Sequence, residues 1–234
     1  MKINASNFSR NRKRLSLTQL RVNKILTCVI NSYEKIISDG VVYNYSEKGS
    51  IKEEDYLRNR LVDDYLEYEL NNIEDNTNRF AVNKEVGEEY IGLTDNKPHN
   101  DPIDIHIMDY ALKDAWGQKT KPYFAIECKR LVTSVSSYVN DTEKATKRKY
   151  RKLRLPFEGQ LGFIENNKWS SNIVAELINK NLISNSNIKT TRNLEKYILK
   201  KDFDGSYFSE HEKVNDTSFS VFHLFFDYSD IVVK

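Results

Sequence analysis

The amino-acid sequence predicts an α/β protein, because amphipathic helical segments alternate along the chain with short strands. Apolar residues recur at helical spacing in the first third of the chain. Apolar and polar residues alternate with strand periodicity in Ile103-Asp104-Ile105-His106-Ile107, and a continuous apolar run, Tyr123-Phe124-Ala125-Ile126, precedes Glu127. The chain has 234 residues, and we expect an N-terminal helical extension at 1–45 followed by one larger domain at 46–234.

Two helices are expected before the first strand. Ser16-Leu17-Thr18-Gln19 has the form of a capping box, and the apolar pattern after it ends at Ser38-Asp39-Gly40. Ser50-Ile51-Lys52-Glu53 repeats this signature before a helix that runs to Tyr68. The apolar face of the first helix is expected to pack on the core or on a second subunit, which would make the protein a homodimer.

The later elements are expected in the order strand, strand, strand, helix, strand. Residues 79–86, 103–108 and 123–129 are predicted strands, 141–153 a helix and 160–164 a further strand. A helix at 173–178 and another at 193–200 should follow. The closing run 219–227 is apolar on both faces and therefore predicts an interior strand.

Composition excludes several classes of protein. A net charge of +2 argues against a protein that coats nucleic acid, and the mean hydropathy of −0.66, with no apolar stretch of membrane-spanning length, implies no membrane role. The start of the chain lacks a secretory pattern, and the two cysteines, Cys28 and Cys128, lie in apolar patterns. We expect buried thiols in a reduced, cytoplasmic compartment. The sequence also lacks the Gly-rich loop that ATP or GTP binding uses.

Acidic residues on two predicted strands indicate a metal site. Successive side chains of a strand face opposite ways, so Glu127 and Lys129 share one face, and Asp104 shares a face with His106. Pairing of the two strands would bring both carboxylates together. Hard cations such as Mg²⁺ prefer oxygen ligands and neutralise the charge that develops when a phosphodiester is hydrolysed. His106 could contact substrate or metal, although a polar neighbour is its commoner role.

This arrangement resembles the PD-(D/E)xK nuclease superfamily, which places an acid on one strand and Glu-x-Lys on the next. The resemblance covers roughly residues 50 to 165. It implies a restriction-endonuclease-like domain at 46–234, with a mixed central sheet flanked by helices, that uses Mg²⁺ or, in its place, Mn²⁺. It further implies that Asp104, Glu127 and the backbone carbonyl of Cys128 are metal ligands, and that Lys129 orients or deprotonates the attacking water.

Three other positions carry alternatives. Asp101-Pro102 precedes Asp104, so either acid could be the ligand, although strand alternation favours Asp104. Glu54 occupies the place of a helical acid that family members often carry near the metal, but an acid in a first helical turn also suits the helix dipole. Gln160 lies where the family often has a polar residue, and it can equally be structural.

A dense basic run follows the predicted catalytic strand. Such a run is usually a solvated face, but its position here favours contacts to a phosphate backbone. Its members are Lys144, Lys147, Arg148, Lys149, Arg151, Lys152 and Arg154.

The expected function is therefore Mg²⁺-dependent hydrolysis of DNA by an endonuclease, with restriction or phage defence as the expected setting. One alternative is a catalytically inactive module of the same fold that binds nucleic acid or a partner protein, since fold does not fix function. Another is a nuclease subunit that a partner protein of a defence system switches on.

Overall fold

The computed structural model describes residues 5–73, 80–112, 122–151 and 153–233, with side chains from residue 14 onward. The chain is an α/β protein, as predicted, with a mixed eight-stranded sheet and helices packed on it. In chain order the elements are α1 (Ala5–Ser38), β1 (Tyr43–Asn44), α2 (Glu53–Leu61), α3 (Glu67–Asn71), β2 (Phe80–Gly92), β3 (Pro98–Asp109), β4 (Tyr123–Leu131), α4 (Ser136–Thr146), β5 (Arg148–Tyr150), β6 (Arg154–Ile164), α5 (Ser171–Ser184), β7 (Lys189–Lys196), β8 (Ser206–Glu212), β9 (Ser218–Asp227) and β10 (Val232–Val233).

The strand order of the large sheet is β5-β2-β3-β4-β6-β9-β8-β7. Strands β4, β6 and β9 are parallel to one another, and the remaining neighbours are antiparallel. The predicted closing strand is confirmed as interior, because β9 lies between β6 and β8. A separate parallel pair joins β1 to β10.

Helices cover both faces of the sheet. Helices α1 to α3 share one apolar core with alternate residues of the central strands, among them Ile105, Ile126 and Phe222. Helices α4 and α5 share a second core with residues of the other face, such as Leu131 and Phe225. Leu131 faces the same way as Glu127 and Lys129, because every second residue of a strand lies on one face. Since Leu131 packs against α4 and α5, this face of β4 lies under α4.

The apolar face of helix α1 packs on the core. This is one of the two arrangements that the sequence predicted, the other being contact with a second subunit. The side chains of Val22, Ile25 and Val29 are fully buried against the sheet and the neighbouring helices. The predicted start at Ser16 was wrong, because the helix already includes Ala5 and the Thr18 hydroxyl donates to the Arg14 carbonyl inside the helix. The predicted end at Ser38 is confirmed.

The second predicted capping box is also not formed. Lys52 occupies the N-cap of α2 without a side-chain hydrogen bond, and Glu53 instead accepts a hydrogen bond of 2.9 Å from Arg130. The helix continues through a π-helical turn, Val62–Leu66, into α3. Glu53 therefore forms an ion pair with Arg130 of β4 instead of a capping box with the start of its own helix.

Two further helix predictions need correction. Helix α4 ends at Thr146 instead of continuing to 153, because residues 148–150 form the edge strand β5 beside β2. The predicted helix at 193–200 is not formed. Residues 193–196 belong to strand β7, which pairs with β8 through two irregularities in register, and residues 197–200 are neither helix nor strand. The predicted helix at 173–178 is confirmed within α5. Among the described residues, no helix is both long enough and apolar enough to cross a membrane.

Candidate active site

The pairing of three central strands brings the predicted site residues to one cavity. In the β3–β4 register Ile105 lies opposite Ile126, which sets Asp104 and Glu127 beside each other on the face below α4, and Glu127 lies opposite Gln160 of β6. Asp104, Glu127, Lys129 and Gln160 all line a cavity of about 440 Å³. Strand alternation, predicted from sequence, therefore gives the acids a common orientation.

Asp104 is fixed by two donors. Its Oδ2 accepts a hydrogen bond of 2.7 Å from the backbone N–H of Cys128, and its Oδ1 accepts one of 3.0 Å from Arg58. Asp101, the alternative, also faces the cavity but bonds to Tyr90 and Arg148. The structure thus places Asp104 beside the Glu-x-Lys strand and Asp101 toward β5.

Glu127 carries a strongly perturbed carboxyl group. Burial raises its pKa to about 8, with a further rise from the charge of Asp104 that Arg154 partly offsets. Within the described part of the chain no group donates a hydrogen bond to this carboxylate. A carboxyl group whose pKa is raised in this way by burial and by a neighbouring acid is typical of functional sites.

The ammonium of Lys129 lies among oxygen atoms. It donates hydrogen bonds to the Cys128 carbonyl at 2.7 Å and to Glu54 Oε1 at 2.9 Å, and it lies 3.3 Å from Asp141 Oδ2 and 4.0 Å from Asp104 Oδ2. Burial alone lowers the pKa of Lys129, but the charges of Asp141, Glu54 and Asp104 outweigh it and raise the pKa above its usual value. In this geometry Lys129 is a cation shared among three acids.

Glu54 reaches the site from α2. Besides its bond to Lys129, its Oε2 accepts a hydrogen bond of 3.1 Å from the backbone N–H of Arg130. Glu54 thus contacts the ammonium and the end of β4 rather than serving only the dipole of its own helix.

Gln160 is buried and held from α4. Its Oε1 accepts a hydrogen bond of 3.2 Å from Thr142, and its backbone carbonyl accepts one of 3.3 Å from Tyr138. The Tyr138 hydroxyl also contacts His223 Nδ1 at 3.0 Å. These bonds fix α4 against the cavity.

Sequence reasoning missed Asp141 as a site residue. It lies on α4, lines the cavity and is buried together with Tyr138, Thr142 and Ala145. Those residues stand three before, one after and four after Asp141, so the acid lies on the apolar stripe of the helix. An acid on such a stripe is the signal that could have identified it.

The basic run is mostly paired with acids. Arg154 is buried and bonded to Glu88 and Glu158, so its guanidinium does not reach the surface. Lys149 is exposed and forms no ion pair with the described residues, whereas Lys152 lies outside them. The other members pair individually, Lys144 with Asp141, Lys147 with Glu143, Arg148 with Asp101 and Arg151 with Glu89.

His106 lies on the Asp104 face but away from the cavity lining. Its ring packs against Tyr123 with centroids 4.4 Å apart, and burial lowers its pKa to about 4. Its Nδ1 is buried and has no hydrogen-bond partner among the described residues, so the commoner role, that of a hydrogen-bonded polar neighbour, is not observed.

The donor chemistry suits a hard divalent cation, since carboxylate and carbonyl oxygens surround the Lys129 ammonium. Among the described residues, however, no three Asp, Glu, His or Cys side chains converge in a geometry that would hold a metal ion. The ammonium lies where these oxygens meet. The chain gives no match to models of known protein families, to curated proteins or to solved structures.

Proposed function

We propose that the chain is a Mg²⁺-dependent nuclease of the PD-(D/E)xK type that hydrolyses DNA phosphodiester bonds. One observation carries the proposal: Asp104, Glu127 and Lys129, from neighbouring strands, face one cavity on the same side of the sheet. The perturbed pKa of Glu127 and the arrival of Glu54 from α2 add support.

In this proposal Asp104, Glu127 and the Cys128 carbonyl would hold the ion, which requires the Lys129 ammonium to move away from that carbonyl. When bound, the ion supplies Lewis acidity that stabilises the charge developing on the phosphate. Lys129, kept protonated by its neighbours, orients the phosphate or water through its N–H donors. Arg58 holds one oxygen of Asp104, so the carboxylate presents a fixed edge.

A cleavage panel tests the proposal. Purified protein with Mg²⁺ or Mn²⁺ is incubated with linear duplex, circular duplex and single-stranded DNA and with RNA. We expect metal-dependent cleavage of DNA that is lost in Glu127→Gln and in Lys129→Ala. Glu195→Gln and Lys196→Ala are the matched controls, because both residues lie on β7 at the far edge of the sheet and form ion pairs with exposed residues. Cleavage that survives in the site variants would contradict the assignment.

One observation favours a second candidate, an inactive nuclease-fold module that binds nucleic acid or a partner protein. The ammonium of Lys129 already has Glu54 and the Cys128 carbonyl as hydrogen-bond acceptors, and the described acids do not converge on a metal position. Calorimetry with MnCl₂ separates the two candidates. Absence of Mn²⁺ binding together with salt-sensitive DNA binding would favour the module.

A further inference from the structure

Helix α4 contributes a carboxylate to the cavity from the side opposite α2. The Asp141 side chain is only 6% exposed and lines the cavity with Glu127 and Lys129. Glu54 reaches the same ammonium from α2. The acids of the site therefore come from two strands and from two helices that flank them.

The two oxygens of Asp141 have different surroundings. Oδ1 accepts a hydrogen bond of 2.7 Å from Lys144. Oδ2 is fully buried and has no hydrogen-bond partner among the described residues, since the Lys129 ammonium 3.3 Å away lacks hydrogen-bond geometry toward it. A buried carboxylate oxygen without a donor is costly, so it needs a compensating group.

Lys129 supplies part of that compensation through an ion pair at 3.3 Å, but its ammonium is shared with other acceptors. Its ammonium has three N–H donors and uses two of them for the Cys128 carbonyl and Glu54. Three carboxylates lie within 4.0 Å of it, and the nearby cations Arg58 and Arg154 are bonded to other acids as well. The surplus of negative charge around the ammonium comes from Glu54, Asp104 and Asp141.

Asp141 is also held rigidly enough to act as a ligand. One residue further along α4, Thr142 donates to Gln160, and three residues earlier Tyr138 donates to the Gln160 carbonyl. Rigid elements that are locked to the sheet by such bonds position a site more accurately than loops do.

We propose that Asp141 is a further ligand of the divalent cation and that its Oδ2 faces the ion together with Glu127. This inference rests on the proposed function and adds a residue to its metal site. The helix that follows the Glu-x-Lys strand thereby becomes part of the cation site, and metal binding joins α4 to β4.

Binding of Mn²⁺ alone, measured by calorimetry on the full chain, tests the inference without a cleavage assay. Asp141→Asn keeps the shape of the side chain and removes its charge, and we expect its Mn²⁺ dissociation constant to rise at least about 10-fold, since even outer partners of metal sites contribute that much. Glu143→Gln is the matched control. It makes the same charge change on the same helix, but Glu143 points to Asn185, Asn187 and Lys147.

Two outcomes would overturn the inference in different ways. Wild-type protein that binds no Mn²⁺ overturns both the inference and the proposed function. Wild-type binding that Asp141→Asn and Glu143→Gln leave equally unchanged overturns the inference alone. If Asp141→Asn does not fold, Asp141→Ala replaces it, because alanine leaves no buried amide to be satisfied, and the same rise in the dissociation constant is expected.

Discussion

Replacement of Lys129 by methionine tests whether its ammonium neutralises the carboxylates of the cavity. Methionine keeps an unbranched side chain of similar length and removes the charge. The change deletes the hydrogen bonds to the Cys128 carbonyl and Glu54. It also removes one of the two cations beside each of the carboxylates of Asp104 and Asp141, which keep Arg58 and Lys144 respectively.

The expected loss follows from burial. Removing one partner of a buried ion pair costs about 3–5 kcal/mol, because the remaining charge stays desolvated. The Lys129 side chain is 19% exposed, so we expect the lower end of that range, a loss of about 3 kcal/mol in the free energy of unfolding.

Urea unfolding followed by circular dichroism at pH 7, with EDTA or with MnCl₂, measures this quantity. In EDTA the variant should lose stability as stated. In MnCl₂ the variant should gain more stability than the wild type does, because in the variant the ion does not compete with an ammonium. At a concentration 100 times the dissociation constant, Mn²⁺ should raise the free energy of unfolding by about 2.7 kcal/mol. Lys196→Met is the control, because its partner Asp204 is fully solvated and exposed pairs contribute about 1 kcal/mol or less.

Two results would refute the reasoning. A loss no larger than that of Lys196→Met would mean that the ammonium does not neutralise a buried cluster. An equal Mn²⁺ response in the variant and the wild type would mean that the ion and the ammonium bind at different places.

Three further predictions follow from the charges. Burial lowers the pKa values of His106 and His211 to about 4 and that of His223 well below its usual value, so the native state keeps these rings neutral. Because the unfolded chain binds their protons near pH 6.5, the urea midpoint should fall as the pH is lowered from about 6.5 toward 4, and a flat profile there would contradict this. Arg154→Leu should cost about 3–5 kcal/mol in urea unfolding, since it leaves two buried glutamates unpaired. Lys149→Ala should leave stability within about 0.5 kcal/mol but lower the salt dependence of DNA binding by about one unit of slope.

The last two predictions have matched controls. Arg192→Leu removes an exposed arginine whose partner, Glu195, is also exposed, and should change stability little. Lys201→Ala removes an exposed lysine after β7, away from the cavity, and should leave the salt dependence unchanged. Equal effects of Arg154→Leu and Arg192→Leu would argue against a buried charge cluster, and equal effects of both lysine variants would remove Lys149 from the nucleic-acid surface.

Local periodicity was sufficient to predict the strands of the site. The alternation around Asp104 predicted a strand that the structure extends at both ends, and the apolar run before Glu127 predicted a strand that starts at the expected residue and ends two residues later. Alternation also predicted that Glu127 and Lys129 share a face, because that property depends only on the backbone of one strand.

Elements whose structure depends on a distant partner were predicted poorly. Residues 193–196 form part of β7 because β8 offers an edge to pair with, and strand preference depends on such context more than helix preference does. Ser16 and Glu53 resemble capping residues, yet the first lies inside α1 and the second binds Arg130. In both cases a tertiary contact or a longer helix outweighs a local signal of about 1 kcal/mol.

The sequence by itself determined the α/β class, which follows from the alternation of helical and strand patterns along the chain. It also determined the interior closing strand and the common face of the acid and the amine, since each of these follows from the pattern of a single strand. The tertiary structure decided which charges meet. It brought Glu54 and Asp141 from separate helices to Lys129, kept Arg154 away from solvent, and left Lys149 exposed. The physical reason is that electrostatic energies depend on distance and burial across the folded chain, and neither quantity is encoded in the spacing of residues along one strand.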